Sequence, residues 1–367
     1  MANKGMSILH ISTARSWRGG EQQIAYLIAE LALQNTHQFV VCIKDAPFYH
    51  WCLENNIPVK GLKKRSSLDL SFAFSLKKFS QKNKVEIWHA HDAHAHGFAV
   101  YANAFFGAKT PVIVSRRVDF PVAGSWLSAF KYNHASVKKI LCVSRAIANI
   151  VKAKIKNPTV LEVVHSAIDH SKFTHLQKGK LRSELQLPAD VKIVGNIAAL
   201  ADHKDHVTFI NTAEILSALH PDLYFVIAGD GELRATLEAK VAEKGLEEKF
   251  SFLGFRTDVP AIIADFDVFL FTSKTEGLGT SILDAFAAGI PTVATAAGGI
   301  PEIVENEKTG LLCPVGDVHA LAQATERVLS NPALAANLIK GASNKLALFS
   351  LKNFGIKTYE QYQLVLH

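Results

Sequence analysis

The chain has 367 residues, about half of them hydrophobic (49%), and a formal net charge of +7. This length is sufficient for two domains that each bury an apolar core, so a small fold that depends on disulfides or a structural metal is excluded. No apolar run approaches the roughly 20 residues of a membrane span, and the N-terminus lacks the apolar region of a signal peptide. The four cysteines, Cys42, Cys52, Cys142 and Cys313, have no paired spacing, and we interpret them as reduced core residues. We therefore expect a cytoplasmic protein.

The charge is unevenly divided along the chain. Residues 1–169 contain 22 basic and 10 acidic residues, a net charge of +12, whereas residues 170–367 contain 18 basic and 23 acidic residues, a net charge of −5. A nucleic-acid partner is not supported, because no recognised binding module accompanies the basic clusters. An anionic membrane or a phosphorylated acceptor fits better, and a solvated basic surface is the alternative.

Short apolar segments alternate with amphipathic helical segments along the whole chain, which predicts parallel sheets covered by helices on both faces. In such sheets, ligands bind at the carboxyl ends of the strands, so two sheet edges that face each other predict a shared cleft. The predicted strands are residues 7–11, 39–43, 85–89, 112–115, 140–143 and 161–164 in the first half, and 192–197, 224–228, 250–253, 268–272 and 292–296 in the second.

Gly19 and Gly20 follow the first strand and precede a predicted helix over residues 22–33. Glycines at this place allow a phosphate or a sugar to approach the backbone at the start of the helix, and Arg18 adds positive charge beside them. The alternative is an ordinary loop between a strand and a helix.

Residues 89–96, His-Ala-His-Asp-Ala-His-Ala-His, contain four imidazoles and one carboxylate. That composition is typical of metal sites. The segment bridges the end of a strand and the start of a helix, however, so its side chains should fan out, and we predict no metal. We expect His91 and Asp92 to face the sugar or the acceptor, and His94 and His96 to belong to the helix or the surface.

The segment from the apolar strand 268–272 to Gly289 is the most informative part of the sequence. Glu276 and Asp284 lie eight residues apart around a glycine-containing loop, and Thr280 or Ser281 is suitable to cap the following helix. Amides at such a helix start bind phosphate oxygens. Glu276 is placed to accept hydrogen bonds from sugar hydroxyls and Asp284 to hold a ribose. The alternative is a capped helix with solvated carboxylates.

Residues 276–284 resemble the Glu-x7-Glu signature of the retaining glycosyltransferases of family 4, also called glycosyl transferases group 1, with Asp284 in place of the second glutamate. Residues 298–304 and 309–314 also fit that family, and the resemblance extends from Gly19 to the last helix. It implies an α/β protein with the GT-B fold, in which two Rossmann-like doubly wound domains face a central cleft.

Residues 165–169 resemble the segment that joins the two domains in this family. We therefore predict an N-terminal, acceptor-side domain over residues 1–168 and a C-terminal, nucleotide-sugar-binding domain over residues 169–349. By resemblance, a C-terminal helix within residues 350–367 crosses back to the N-terminal domain.

The resemblance also assigns donor-side roles. Lys204 matches the lysine of the pattern Arg-Leu-x3-Lys, whose two cations clamp the donor diphosphate, while Ala199 stands at the arginine position. The loops at Gly229 and at Phe255 resemble the loops that bind the base, and Phe255 or Arg256 is expected to contact it. The predicted donor site comprises Glu276, Gly277, Leu278, Gly279, Thr280, Asp284, Lys204, Gly229, Phe255 and Arg256.

Arg116 and Arg117 stand where the family commonly has a histidine that contacts the donor sugar. Arginine cannot act as a base, so Arg116 is expected to bind an anionic sugar or an acceptor phosphate, and the alternative is an ion pair with Asp119. The predicted catalytic residues are Glu276, Lys204, Arg116 and His91, and the predicted acceptor-binding residues are Gly19, Gly20, Arg18, Arg116 and Asp92.

By resemblance, the protein is a retaining, metal-independent hexosyltransferase that moves a sugar from a nucleoside-diphosphate sugar to an acceptor hydroxyl and uses no cofactor. We expect a lipid-linked, phosphorylated or glycan acceptor in the biosynthesis of cell-surface glycan, lipopolysaccharide or glycolipid. Peripheral contact with the inner face of the plasma membrane would fit the basic first half. The alternatives are a nucleotide-sugar epimerase of GT-B type and a nucleotide-sugar-binding protein without catalysis.

Overall fold

The computed structural model describes residues 5–120, 122 and 124–366, and the chain divides into two compact units. The first unit contains the chain up to Ala167 together with the C-terminal helix Leu351–Leu366, and the second unit runs from Ile168 to Ser350. Residues 1–4, Pro121, Ala123 and His367 belong to the predicted domains 1–168 and 350–367 but lie outside the described residues.

The first unit contains a parallel sheet with helices packed against it. Its strands are β1 (Met6–Ile11), β2 (Thr36–Ile43), β3 (Val59–Leu62), β4 (Ile87–Ala90), β5 (Val112–Arg116), β6 (Val137–Cys142) and β7 (Leu161–Val163). Its helices before the C-terminal one are α1 (Gly19–Ala32), α2 (Pro47–Glu54), α3 (Leu70–Lys82), α4 (Ala93–Phe106), α5 (Trp126–Asn133) and α6 (Arg145–Lys152). The strand order is β3-β2-β1-β4-β5-β6-β7. The chain therefore switches direction between β1 and β4, and the loops that follow these two strands lie together.

The C-terminal helix closes one face of this sheet. Phe354 and Tyr362 of the helix are buried in a cluster with Ile8 of β1 and Ile87 of β4. The helix packs against α1 at Gly355, where an added Cβ atom would lie 2.5 Å from the Cβ atom of Glu30. A glycine at this position allows the two helices to approach closely.

The second unit repeats the architecture. Its strands are β8 (Lys192–Ile197), β9 (Leu223–Ala228), β10 (Phe250–Phe252), β11 (Val268–Phe271), β12 (Thr292–Thr295) and β13 (Leu311–Cys313). Its helices are α7 (Lys180–Glu184), α8 (His206–Leu219), α9 (Arg234–Glu243), α10 (Val259–Ile263), α11 (Thr280–Ala287), α12 (Ile300–Ile303), α13 (Val318–Ser330) and α14 (Pro332–Leu346). The strand order is β10-β9-β8-β11-β12-β13, so the switch in chain direction falls between β8 and β11.

Apolar, β-branched and aromatic residues explain the buried strands. Val268, Phe269 and Leu270 of β11 are fully buried, because parallel strands in such a sheet are covered on both faces. The predicted α/β class with two Rossmann-like sheets is confirmed. Two short strands were not predicted: β3 and β13. β3 has the sequence Val-Lys-Gly-Leu and is only half-buried, and β13 has only three residues, so neither shows a clear apolar pattern.

Candidate functional site

Two oppositely charged side chains meet at the carboxyl ends of the neighbouring strands β8 and β11. Lys204 ends the short 3-10 helix Asp202–Lys204 that follows β8, and Glu276 lies in the loop between β11 and α11. Lys204 Nζ donates a hydrogen bond of 2.5 Å to Glu276 Oε2, and the two side chains are only 16% and 14% exposed. This shielding strengthens the attraction relative to a surface ion pair. The structure therefore brings together the two predicted catalytic residues of the second unit.

Hydroxyl groups directly after β11 hold this pair in place. Thr272 Oγ1 shares its one hydrogen between the carbonyl oxygens of Asp205, at 3.0 Å, and Lys204, at 3.3 Å. Ser273 Oγ donates to Glu276 Oε2 at 3.3 Å, and Thr295 Oγ1 of β12 donates to the carbonyl oxygen of Ser273 at 2.7 Å. These residues were not among the predicted site residues. Their signal is a pair of hydroxyl side chains directly after an apolar strand.

The backbone at Glu276 depends on two glycines in the loop between β12 and α12. The N–H group of Gly299 donates to the carbonyl oxygen of Glu276 at 2.9 Å. Gly298 has a φ of +50°, and a Cβ atom added there would lie 2.1 Å from the same oxygen. Gly298 thus allows a close approach that no other residue permits without displacing the Glu276 loop.

The start of α11 differs from the prediction. We expected Thr280 or Ser281 to cap the helix, but the N-cap residue is Gly279, with a φ of +90° and no side-chain cap. The expected cap is wrong because the left-handed conformation of Gly279 begins the helix one residue earlier, and glycine has no side chain to offer. The N–H group of Ile282 donates to the carbonyl oxygen of Gly279 at 3.0 Å, and within the described residues those of Thr280 and Ser281 are left available to an anion.

Asp284 lies one turn inside α11 and is half-buried. Burial raises the pKa of its carboxyl group to about 7, and the positive charge of Lys172 offsets only part of that increase. Asp284 consequently changes its charge near neutral pH, unlike an ordinary surface carboxylate.

The loops after β8, β9 and β10 come together beside this site. A Cβ atom added to Gly229, whose φ is +156°, would lie 1.9 Å from the carbonyl oxygen of Ala198. The N–H group of Gly229 donates to the carbonyl oxygen of Gly254 at 2.8 Å. Ala199 is exposed, and its carbonyl oxygen lies 3.1 Å from Nε2 of the buried His206. The lack of a side chain at Gly229 therefore allows these loops to approach more closely than any other residue would permit.

The two residues predicted to contact the base differ in availability. Phe255 is 74% exposed. The guanidinium of Arg256 is instead bound by Glu184, at 2.6 and 3.0 Å, and by Asp258, at 2.8 and 2.9 Å. These two carboxylates raise the pKa of Arg256 above its usual value. Phe255 is the better candidate for contact with a base, because four of the five N–H donors of Arg256 are engaged by carboxylates.

In the first unit, Arg116 ends β5 and is almost completely buried. Its Nη2 donates to the carbonyl oxygen of Phe120, and within the described residues its Nε and the Oδ2 atom of Asp119 have no hydrogen-bond partner. The neighbouring Arg117 is half-buried, and burial lowers the pKa of its guanidinium to about 10. Both arginines thus place positive charge at the carboxyl end of β5.

Asp92 connects the loops after β1 and β4. Its carboxylate accepts hydrogen bonds from the N–H groups of His94 and Ala95 at the start of α4, both at 2.9 Å. It also accepts from the N–H group of Thr13 at 2.5 Å and from the hydroxyl of Thr13 at 2.7 Å. The predicted acceptor-binding carboxylate is therefore already occupied by four protein donors, and its observed contribution is to hold the two loops together.

The predicted glycine turn lies at the first turn of α1. Gly19 and Gly20 are the first residues of the helix, and an added Cβ atom would have nothing within 4 Å at either position. Arg18 is exposed, and its backbone N–H donates to Glu21 Oε2 at 3.1 Å. Open space therefore surrounds this predicted acceptor-binding turn.

His91 lies in a cluster of buried histidines that was not predicted. His10 of β1, His89 of β4 and His91 are buried, and one ring nitrogen of each lies within 4.8 Å of the others. Among the described residues, these three imidazoles are the group that is close enough together to bind a metal ion. His94 is exposed, whereas His96 is buried with its Nε2 3.0 Å from the carbonyl oxygen of Lys131. Only two of the four histidines in residues 89–96 therefore join the cluster.

Comparison with known proteins decides the family. A family model described as Glycosyltransferase Family 4 matches residues 17–172, and one described as Glycosyl transferases group 1 matches residues 177–345. The chain belongs to glycosyltransferase family 4. The predicted glycosyltransferase function is thereby confirmed, and the epimerase and binding-protein alternatives are not favoured.

Two curated relatives show the extent of the similarity. The chain is 26% identical over 276 residues to the N-acetyl-alpha-D-glucosaminyl L-malate synthase of Bacillus anthracis, which covers 74% of this chain and 72% of the relative. It is also 26% identical over 352 residues to the UDP-Gal:alpha-D-GlcNAc-diphosphoundecaprenol alpha-1,3-galactosyltransferase of Escherichia coli, which covers 89% of each chain. The similarity to the second relative thus includes both units.

Solved structures show the same fold. The crystal structure of Anabaena HepE in complex with UDP and glucose has a TM-score of 0.85 and 20% identity, over 98% of this chain and 99% of that one. A glycosyltransferase from Rickettsia africae has a TM-score of 0.87 and 19% identity, over 99% of each chain. The predicted GT-B fold is confirmed. Within the described residues, no helix has both the length and the apolar character to span a membrane.

Proposed function

We propose that this glycosyltransferase transfers a hexose, with retention of anomeric configuration, from a nucleoside-diphosphate sugar to a hydroxyl group of a lipid-linked or glycan acceptor. The contact between Lys204 and Glu276, beside the uncapped start of α11, carries the proposal. A cation for the diphosphate, free amides for its oxygens and a carboxylate for the sugar hydroxyls lie at the end of one sheet. The similarity to a galactosyltransferase whose name specifies UDP-Gal and a diphosphoundecaprenol acceptor supports these substrate classes.

In the proposed reaction, the bond between the anomeric carbon and the diphosphate oxygen breaks while the acceptor oxygen bonds to the same face of the sugar. The departing diphosphate takes the proton of the acceptor hydroxyl, which balances the charge, and the attack on the same face retains the configuration. Lys204 and the amides of Gly277–Ser281 stabilise the negative charge on the leaving group, by a few kcal/mol for each well-placed donor. Under this proposal, these groups supply the stabilisation without a divalent metal.

The remaining donor-side residues fit specific parts of the same substrate. Asp284, inside α11, is proposed to bind the ribose hydroxyls, and Leu278, Gly279 and Thr280 contribute the backbone around the phosphates. Phe255 offers an exposed aromatic face for the base. No cofactor is required for this chemistry, because the nucleotide sugar itself provides the activated leaving group.

The reaction is tested by incubating the protein with a panel of nucleotide sugars and hydroxyl acceptors, with and without EDTA. Released nucleoside diphosphate, together with a glycosylated acceptor of unchanged anomeric configuration, is expected. Inversion of the configuration, or activity that EDTA abolishes and a divalent cation restores, would contradict the corresponding part of the proposal. A changed sugar without transfer would favour an epimerase.

Lys204→Ala is expected to weaken the binding of nucleoside diphosphate by about tenfold or more, because one charge-assisted contact with the phosphates is lost. Binding of the nucleoside alone should change little. Calorimetric titration with both ligands measures the difference. Lys240→Ala is the matched control, since Lys240 belongs to the same unit and forms an exposed ion pair with Glu243 at 2.7 Å.

Ala199→Arg tests the same pocket in the opposite direction. Ala199 is exposed next to the loop of Gly229, so a long cationic side chain has room there. Tighter binding of nucleoside diphosphate is expected if this position faces the diphosphate. If neither this variant nor Lys204→Ala alters the affinity, the assignment of the diphosphate site is wrong.

We also propose peripheral contact between the first unit and an anionic membrane surface. Lys63 and Arg65 are exposed, and the exposed apolar residues Leu68 and Leu70 lie close by in the sequence. Each basic residue at such a surface contributes on the order of 1 kcal/mol, and salt screens this contribution.

Sedimentation with vesicles that contain an anionic phospholipid is expected to show binding that decreases between low and physiological salt. Changing Lys63, Lys64 and Arg65 to glutamine should weaken that binding. The same change to glutamine at three lysines of the second unit should have little effect on vesicle binding; these are Lys240, Lys249 and Lys340. Absence of binding at low salt would indicate that the basic residues are merely solvated.

A further inference from the structure

A chain of hydrogen bonds inside the first unit determines which nitrogen of His91 carries a proton. The chain begins at Gln38 of β2, whose Nε2 donates to the carbonyl oxygen of Ile28 at 2.9 Å. A carbonyl oxygen only accepts, so the amide nitrogen of Gln38 must face Ile28. Its Oε1 then faces His10, 3.2 Å from His10 Nε2.

The orientation of Gln38 fixes the tautomer of His10. Because Gln38 Oε1 has no hydrogen to donate, His10 Nε2 must carry the proton. His10 is fully buried, and this burial lowers its pKa to about 4, so the ring is neutral at physiological pH. The other nitrogen, Nδ1, therefore holds a lone pair.

His10 in turn fixes the tautomer of His91. His10 Nδ1 lies 3.0 Å from His91 Nε2, so His91 Nε2 must donate. Burial is the largest cause that holds the pKa of His91 well below its usual value, the positive charge of Arg117 acts in the same direction, and this ring is also neutral. A lone pair therefore remains on His91 Nδ1. That atom is buried and has no hydrogen-bond partner within the described residues.

The neighbours of His91 prevent its ring from turning freely. The ring of His89 packs against it with centroids 4.0 Å apart. His89 is itself fixed, with its Nδ1 2.6 Å from the hydroxyl of Tyr362 and its Nε2 2.8 Å from the hydroxyl of Ser115. Since His91 follows β4 and His10 belongs to the adjacent β1, the ring lies where the sheet changes direction, which is the edge that binds ligands in such folds.

A metal ion is the other interpretation of three close imidazoles. An ion requires a lone pair from each ring directed at it. His10 Nδ1 and His91 Nε2 instead share one proton across 3.0 Å, so they cannot both face an ion while the chain is intact. The positive charge of Arg117 close by opposes a cation as well. The hydrogen-bond chain satisfies both atoms without an ion.

We infer that His91 Nδ1 is a fixed hydrogen-bond acceptor for one hydroxyl group of the bound sugar or acceptor, and that Gln38 and His10 are positioning residues that hold it in this tautomer. The inference rests on the proposed function, because the ligand is taken to be a hydroxyl-bearing substrate. A buried acceptor without a donor is costly, and a substrate hydroxyl supplies the missing donor. His91 then orients the hydroxyl without removing its proton, since the cationic form of the ring is disfavoured.

The tautomers can be measured without any assay of activity. In the protein labelled with 15N-histidine, long-range proton–nitrogen correlation spectra at pH 7.5 are expected to show His10 and His91 protonated on Nε2 and unprotonated on Nδ1. The variants His10→Asn and His91→Asn assign the signals. A proton on Nδ1 of His91, or zinc that binds stoichiometrically and shifts both sets of signals, would overturn the inference.

The kinetic test removes the first member of the chain. Gln38→Leu is expected to raise KM for the substrate that His91 binds by about tenfold, with a smaller change in kcat, because one oriented hydrogen bond is lost. Gln38→Glu keeps an oxygen facing His10 but leaves the carbonyl oxygen of Ile28 without a donor, so it should restore part of the loss. KM values that are unchanged in Gln38→Leu, or raised equally in both variants, would contradict the positioning role.

Gln23→Leu is the matched control. Gln23 is also a buried glutamine of the first unit, and its two hydrogen bonds within the described residues join it to the backbone of Ala167, at 2.7 and 2.8 Å. The Gln23→Leu variant should be less stable than the wild type but have an unchanged KM. An equal rise of KM in Gln23→Leu and Gln38→Leu would overturn the inference. If the protein shows no transferase activity with any donor, the proposed function fails while the tautomer measurement still decides the hydrogen-bond chain.

Discussion

Glu276→Gln is expected to lower turnover by about 100-fold or more, while the protein remains folded. The carboxylate accepts the short hydrogen bond from Lys204 Nζ and one from the hydroxyl of Ser273. Glutamine keeps the size of the side chain but removes its charge, so the interaction with Lys204 and with the sugar hydroxyls weakens. The largest effect should appear in kcat, because the orientation of the sugar matters most as the glycosidic bond breaks.

Steady-state kinetics with a saturating acceptor measures this change, and circular dichroism verifies the fold. Ser273→Ala should have a smaller effect, since it removes only the contact of 3.3 Å. Glu238→Gln is the matched control, because Glu238 forms an exposed ion pair with Arg234 on α9. An unchanged rate in Glu276→Gln would remove this residue from the reaction.

The architecture could be predicted because the apolar strands have a simple physical signature. A segment such as Val-Phe-Leu-Phe in β11 is buried on both faces of a parallel sheet, and its continuous apolar run shows this directly. The strands β3 and β13 were not predicted, because their few residues are stabilised by pairing with β2 and β12 and have no apolar pattern of their own. Edge strands of this kind depend on tertiary contacts that local sequence does not encode.

The candidate site was only partly predictable. Lys204 and Glu276 were found because each lies in a motif, although their contact requires β8 and β11 to be neighbours, and these strands are separated by two others along the chain. The same limitation prevented the prediction that His10 lies beside His89 and His91. It pairs in register with His89 because β1 lies beside β4, and no feature of residues 7–11 indicates that neighbour.

The roles of single polar residues were harder still to predict. Asp92 and Arg256 have the charges that a substrate site requires, but protein groups already occupy them. Sequence shows that a side chain can form hydrogen bonds without showing which partner lies closer. Gly279 illustrates the converse, because its lack of a cap leaves the helix start open to a ligand.

The buried histidines predict that the first unit is more sensitive to acid than the second. Burial lowers the pKa of His10 from 6.5 to about 4, and it holds the pKa values of His89, His91 and His96 well below 6.5. As the pH falls below 6.5, these histidines bind protons in the unfolded chain but not in the folded unit. The free energy of unfolding therefore decreases until the folded histidines also bind protons. The shift of His10 alone lowers the free energy of unfolding by about 3 kcal/mol once the pH is below 4, which is a large part of the stability of a typical domain.

The second unit contains opposing groups. Burial lowers the pKa of His206 to about 4, which destabilises this unit between pH 6.5 and 4 in the same way. The pKa of Asp284 is raised to about 7, so its folded form binds a proton before the unfolded form does, and its contribution to stability increases as the pH falls from 7 towards 4. The two shifts partly compensate, so the stability of the second unit should depend less on pH.

All four tryptophans, Trp17, Trp51, Trp88 and Trp126, lie in the first unit, so tryptophan fluorescence reports the unfolding of that unit, while circular dichroism reports both units. In urea, the midpoint concentration of the fluorescence transition is expected to fall strongly between pH 7.5 and 5.0. A transition followed by circular dichroism, whose midpoint shifts less, should remain.

His96→Gln should reduce this pH dependence, because glutamine can still donate to the carbonyl oxygen of Lys131 but cannot be charged. His37→Gln, at an exposed position, is the control. Equal fluorescence midpoints at the two pH values would show that the buried histidines do not control the acid stability of the first unit.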